Sequence, residues 1–158
     1  SDALGPRNFI WLKKGVLAGT PQPGIVADLD YDLKALQRVG VTKLITLLEK
    51  QLDPEPMKEF GIDNLWLPIN DMEAPKIDEA IEWCQRVEKF MRDGDVVAYH
   101  CKAGMGRTGT MLTAQLIWEG MHALEALETA RKVEPRWVQS EVQVQFLEEF
   151  EKEVKKTA

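Results

Sequence analysis

Residues 99–110 read YHCKAGMGRTGT. One of the chain's two cysteines stands directly after a histidine and before a stretch holding three glycines, an arginine and two threonines. A thiolate is a strong nucleophile, and nearby cations and helix N-termini favour it over the thiol. Cys101 has both kinds of neighbour, with Arg107 and Lys102 supplying the cations. Gly104 and Gly106 let the backbone approach closely and take positive φ, and successive N–H groups curled in this way make an anion-binding nest. The backbone from Lys102 through Ala103, Gly104, Met105 and Gly106 would then cradle a dianionic tetrahedral group, with Arg107 gripping two oxygens as lysine cannot. Thr108 can give its hydroxyl to the sulfur when the sulfur becomes a leaving group. A phosphate cradle with a nucleophile at its floor splits phosphomonoester hydrolysis into two easier steps through a phosphocysteine. The plainer reading is a tight turn beside an inert thiol, and a lone glycine-rich loop would be weak evidence. The joint pattern H-C-x-x-G-x-G-R-T-G demands far more of the sequence.

The flanking elements must put this loop where a ligand can reach it. DVVAY (95–99) reads as a strand and Arg107 to Glu119 as a helix stopped by Gly120. The loop between them therefore sits at a strand's carboxyl end and a helix N-terminus, the ligand crevice of open α/β sheets. Upstream, GVLAGTPQPG (15–24) is a short strand running into a turn, and Asp28 to Val39 is a helix with Leu29, Leu33, Leu36 and Val39 on one face. VTKLITLL (41–48) is a buried strand, and NLWLPI (64–69) is a further strand ended by Pro68, with Trp66 read as core or half-buried. A helix over about 76–92 carries Ile77, Ile81, Cys84, Val87 and Met91 on its apolar face. Helices over about 123–132 and 140–155 follow, separated by Pro135. The expected fold is α/β: a central, mostly parallel sheet of four to five strands flanked by helices, in one domain spanning 1–158.

The totals agree with an ordinary globular chain, at 158 residues, 44% hydrophobic and 29% charged. A net charge of −6 argues against broad nucleic-acid binding, which needs many phosphates neutralised. No apolar run reaches the roughly 20 residues of a membrane span, and SDALGPRNFIW lacks the basic-then-apolar order of a leader. Two cysteines, Cys84 and Cys101, make neither a disulfide framework nor a paired zinc site, which points to a reducing cytoplasm. The expectation is no metal, no cofactor, no nucleic acid, no membrane, and a monomer.

HCKAGMGRTG resembles the H-C-x5-R-[ST] signature of the protein tyrosine phosphatase superfamily, closest to its small dual-specificity and atypical dual-specificity branch. The likeness takes in FIWLKKGVLAG, the mid-chain acid loop and VQSEVQVQFL. It implies metal-independent phosphomonoester hydrolysis, with an aspartate about thirty residues before the cysteine as general acid. Asp71, in LPINDMEAPKID (67–78), has that spacing, and Glu73 and Asp78 are its competitors. Ile69 and Asn70 replace the tryptophan and proline of the tyrosine-specific branch. The resemblance also implies that Gln139 positions the attacking water, with Gln143 as the second glutamine of its motif. Residues Val142, Phe146, Leu147 and Phe150 could equally make that segment an ordinary amphipathic helix. His100 would order the loop through hydrogen bonds to backbone carbonyls rather than act as a base. Glu134 stands where an arginine is usual, and Arg136 is the cation available nearby.

Substrate follows partly by elimination. Tensin-type phosphoinositide phosphatases carry a second lysine in this loop where Met105 stands here. A phosphorylated protein or peptide, phosphotyrosine with phosphoserine or phosphothreonine as further candidates, is therefore expected. A phosphoinositide, inositol-phosphate or RNA 5′-phosphatase is the alternative on the same scaffold. A silent phosphate-binding module would ordinarily have lost the cysteine, arginine or acid, and all three are present.

Overall fold

The computed structural model describes residues 5–157, so the start of the SDALGPRNFIW stretch lies outside them. Strand β1 (Ile10–Lys13) turns through Gly15, at φ +75°, into β2 (Leu17–Thr20). Helix α1 (Leu29–Arg38) leads to β3 (Lys43–Thr46), and a single-turn α2 (Glu55–Lys58) to β4 (Asp63–Trp66). Helix α3 (Ile77–Arg92) precedes β5 (Val97–His100), and α4 (Gly106–Trp118), α5 (Ala123–Val133) and α6 (Glu141–Thr157) complete the order. The five strands lie in the order β1-β2-β5-β3-β4. All neighbouring pairs are parallel except β1 with β2. The central strand is thus β5, the one that delivers Cys101.

Alternation along the strands sets the two faces. Leu17, Ile45, Val97 and Tyr99 pack with Trp83 and Val87 of α3 and with Met111 and Leu112 of α4. Ala18, Leu44 and Ala98 point the other way, against Leu33 and Leu36 of α1 and Met57 of α2. Helix α4 is buried from Gly106 through Ile117, a core helix rather than a surface one. Its threonines are reconciled with that burial locally: Thr110 donates to Gly106 O and Thr113 to Gly109 O, each at 2.7 Å. No helix among the described residues is long and apolar enough to cross a membrane.

Several sequence expectations shift. The early strand is a hairpin, because FIWLKKGVLAG folds back on itself and β1 adds the antiparallel edge. Helix α2 went unread because Pro56 within it and Pro54 before it mask a single turn, started by Asp53 Oδ1 accepting the Glu55 N–H at 3.0 Å. On α1, Leu29 is exposed and Asp32 is buried, accepting the Gly24 N–H at 2.8 Å. On α3 the buried stripe is Ala80, Trp83, Cys84 and Val87, with Ile77 and Ile81 only half-buried. Trp66 lies exposed on the β4 edge, its indole donating to Leu48 O at 2.8 Å.

Candidate active site

The loop from β5 to α4 opens onto a cleft of about 620 Å³ whose walls include Cys101, Lys102, Ala103, Met105, Gly106, Arg107, Asp71 and Gln139. Thr108, in the first turn of α4, donates its hydroxyl to Cys101 Sγ at 3.1 Å. Gly104 is required by geometry, since it sits at φ +79° and a Cβ there would lie 2.7 Å from the backbone of Thr20. The loop is tied on two sides: Gln22 N–H donates to Lys102 O at 3.0 Å and Trp137 Nε1 to Gly104 O at 3.2 Å.

His100 is fully buried at the end of β5, beside Thr46 in the neighbouring strand. Asn64 donates its amide to Thr46 Oγ1 at 2.8 Å, which leaves the threonine hydroxyl proton for His100 Nε2 at 2.7 Å. His100 Nδ1 then carries the proton given to Cys101 O at 3.0 Å. Burial depresses the imidazole pKa to about 4, against the raising effect of the Cys101 carbonyl, with Arg107 adding to the depression. The ring is neutral at physiological pH, and its contact is with the backbone carbonyl of Cys101 rather than with the thiol.

Arg107 is buried, and its guanidinium is engaged from several sides. Nη1 donates to Glu49 Oε1 at 2.7 Å and to Ile69 O at 2.9 Å, and Nη2 lies 3.7 Å from Asp71 Oδ1. Nε is buried without a partner among the described residues and is the donor an incoming oxyanion could satisfy. Glu49 also accepts the Asp71 N–H through Oε2 at 3.4 Å. Its carboxyl is held below the usual carboxylate range, first by its own backbone N–H and then by Arg107. One carboxylate thus links the arginine to the acid loop. Sequence reading missed Glu49, which ends LITLLE with no motif around it; only its place just beyond a strand's carboxyl end marked it.

Of the three candidate acids, Asp71 lines the cleft, exposed beside Arg107, whereas Asp78 opens on a separate groove between α3 and α6. A turn closed by Glu73 N–H on Asn70 O at 3.0 Å presents Asp71, with Met72 at φ +64°. That turn is stapled to the C-terminal segment: Ser140 Oγ donates to Met72 O at 2.6 Å and Gln143 Nε2 to Glu73 O at 3.1 Å.

The two glutamines divide. Gln139 is exposed in the cleft, and its Oε1 would lie 2.9 Å from a Cβ added at Gly106. Gln143 is fully buried and belongs to a capping box. Its Oε1 accepts the Ser140 N–H at 3.1 Å and the Gln139 N–H at 2.8 Å, while Ser140 Oγ accepts the Gln143 N–H at 3.1 Å. The expected helical stripe is corrected accordingly: Gln143 takes the inner face and Val142 is exposed. The S-x-x-Q spacing was the signal that could have shown this. Val138, at φ +66°, is held by Arg131, which donates to Trp137 O at 3.1 Å and to Val138 O at 2.5 Å. Cys84 lies in a separate cluster with Ala80 and Ala114, where burial pushes its thiol pKa far up. His122 is a surface residue paired with Glu151 at 2.9 Å.

The arrangement places a thiol, a hydroxyl donor to it, a guanidinium, a carboxylic acid and a carboxamide around one cleft. Such a set can hold a tetrahedral oxyanion, attack it, protonate a leaving group and orient a water. Comparison with known proteins agrees. A family model described as "Polymorphic toxin system, DSP-PTPase phosphatase" matches residues 18–121. Protein tyrosine phosphatase type IVA 3 of Mus musculus is 29% identical over 126 residues, 78% of this chain and 72% of that one. Type IVA 2 of the same species has the same identity over 75% of its length. Among solved structures, Tk-PTP in its active form superposes with a TM-score of 0.82 at 26% identity, over 93% of this chain and 98% of that one. PTPMT1 has the same fold, with a TM-score of 0.82 at 23% identity over 94% and 97%.

Proposed function

The chain belongs to the DSP-PTPase phosphatase family and is a cysteine-based protein phosphatase, and from that premise we propose how its residues divide the reaction. The observation that carries the reading is Cys101 Sγ at 3.1 Å from the Thr108 hydroxyl, in one cleft with Arg107 and Asp71. Cys101 attacks the phosphorus of a phosphorylated protein side chain. The loop amides from Lys102 to Gly106 and the Arg107 guanidinium hold the equatorial oxygens, where charge develops in the transition state. Asp71 gives its proton to the departing phenoxide or alkoxide. Gln139 then orients a water that attacks the phosphocysteine, Asp71 takes a proton from that water, and the thiolate leaves with the Thr108 hydroxyl supporting its charge.

Glu49 acts on this set by position. Before substrate arrives it occupies Arg107 and draws the Asp71 backbone toward the cleft. Phosphotyrosine is the first substrate, with phosphoserine and phosphothreonine tested beside it. The experiment is turnover of an aryl phosphate and a phosphotyrosine peptide by wild type and Cys101→Ser in excess chelator. Turnover that vanishes in the variant while phosphate binding persists supports the reading. Full turnover by Cys101→Ser contradicts it.

A further inference from the structure

The cleft carries a second arginine that the reaction does not use. Arg136 lines it together with Cys101 and Gln139, and its side chain is 63% exposed. The residue behind it is unusual: Glu134 is a carboxylate only 6% exposed, at the C-terminal end of α5. Burying such a charge is costly unless it is paired and hydrogen-bonded. Among the described residues, Glu134 meets that demand through Arg136. Its Oε2 accepts the Arg136 backbone N–H at 2.6 Å and Nε at 3.1 Å, and its Oε1 accepts Nη2 at 2.8 Å. The pair holds the Glu134 carboxyl below the usual range and raises the Arg136 guanidinium further.

This pairing fixes the arginine without exhausting it. A guanidinium has five N–H donors, and Glu134 takes those on one edge, leaving both Nη1 hydrogens and one on Nη2. An arginine on an open loop would spend rotamer entropy on gripping a ligand, whereas one already clamped spends little. Its distance from the catalytic loop is fixed too. The adjacent Trp137 is fully buried, donates to Gly104 O, and packs so closely on α4 that a Cβ at Gly109 would lie 2.4 Å from its own. The Arg107 charge, by contrast, is shared with Glu49 and Asp71.

We propose that Arg136, braced by Glu134, is a specificity-determining residue that takes a second anionic group flanking the scissile phosphate of a phosphopeptide. The group is an oxyanion of carboxylate or phosphoryl type, supplied by an aspartate or glutamate side chain or by a second phosphorylated residue. This rests on the protein phosphatase reading and extends it from the reacting phosphate to its neighbours.

The test is steady-state kinetics on four probes: a phosphotyrosine peptide with flanking aspartates, its asparagine counterpart, a doubly phosphorylated peptide, and a soluble short-chain phosphoinositide. An aryl phosphate normalises for catalytic competence. Wild type should prefer the aspartate or the doubly phosphorylated peptide over the asparagine peptide by about tenfold in kcat/KM, carried in KM, the ratio expected for about 1.4 kcal/mol of charge-assisted hydrogen bonding. Arg136→Met should bring that ratio close to one. It also leaves Glu134 buried and unpaired, so the paired variant Glu134→Gln/Arg136→Met, with no orphaned charge, should give the same loss. The relative size of the aspartate and diphosphate effects identifies the source of the anion. Equal turnover of all three peptides by wild type, or a preference retained in both variants, overturns the proposal. So does an Arg136-dependent preference for the phosphoinositide over every peptide. Loss of Cys101-dependent aryl phosphate turnover would instead remove the reaction underneath, and is distinguishable because it needs no peptide.

Discussion

Asp71 and Cys101 reach one cleft from different elements, so the roles proposed for them separate cleanly by substitution. Asp71→Asn keeps the shape of the side chain and removes its proton. Hydrolysis of phosphates with poor leaving groups should fall by about 10²–10³-fold, and hydrolysis of an activated aryl phosphate by much less. A plot of rate against leaving-group pKa that steepens in the variant is the signature; parallel plots would shift the role to another acid. Gly104 makes a backbone demand of a different kind. Its φ of +79° and its approach to Thr20 leave no space for a methyl group. Gly104→Ala should cost about 1–3 kcal/mol of stability, with most of the activity lost as the loop is pushed from Thr20. Thermal denaturation alongside turnover separates the two losses, and a variant as stable and active as wild type would show that the loop can relax.

The elements around the loop were legible to different degrees, for physical reasons. HCKAGMGRTG announced its own strand, turn and helix, because its histidine, cysteine, glycines and arginine put several demands on one short stretch of backbone. The strand-end position of Asp71 followed from NLWLPI and its proline. Glu49 was silent, since a single glutamate at a strand end makes no pattern until folding sets it 2.7 Å from Arg107. Gln143 was half legible: its motif was visible, but its work is to cap α6 and brace the acid turn rather than to face the cleft. The hairpin of β1 was hidden because Leu-Lys-Lys-Gly alternates poorly and the register slips between Trp11 and Lys13. The staple between α6 and the acid turn makes its own prediction. Ser140→Ala removes both the helix cap and the hydrogen bond to Met72 O. Stability should fall by about 0.5–2 kcal/mol, and turnover of poor-leaving-group substrates by about tenfold, a weaker copy of Asp71→Asn. A loss of stability with no leaving-group dependence would confine Ser140 to capping.

At the scale of the whole molecule, a buried polar network runs from the β4 edge of the sheet to its central strand β5. Asn64, Thr46 and His100 run across β4, β3 and β5 to the carbonyl of Cys101. Burial holds the His100 pKa near 4, below its ordinary value of about 6.5. Above the upper value both folded and unfolded chains carry it neutral, and the full stability is present. As pH falls through this window the unfolded chain takes up a proton that the folded one refuses, costing up to about 1.4 kcal/mol per pH unit. The Tm of wild type should therefore drop more between pH 7 and pH 5 than that of His100→Gln, measured by calorimetry; equal drops would deny His100 this part in acid sensitivity. The central claim is that catalysis passes through a phosphoryl group on Cys101. The most direct measurement is rapid acid quenching during turnover of a phosphotyrosine peptide in excess chelator, followed by peptide mass spectrometry. One phosphoryl group on the peptide containing Cys101, absent from Cys101→Ser, is the expected result. Continued turnover by Cys101→Ser, or a phosphoryl group carried on another residue, would contradict it.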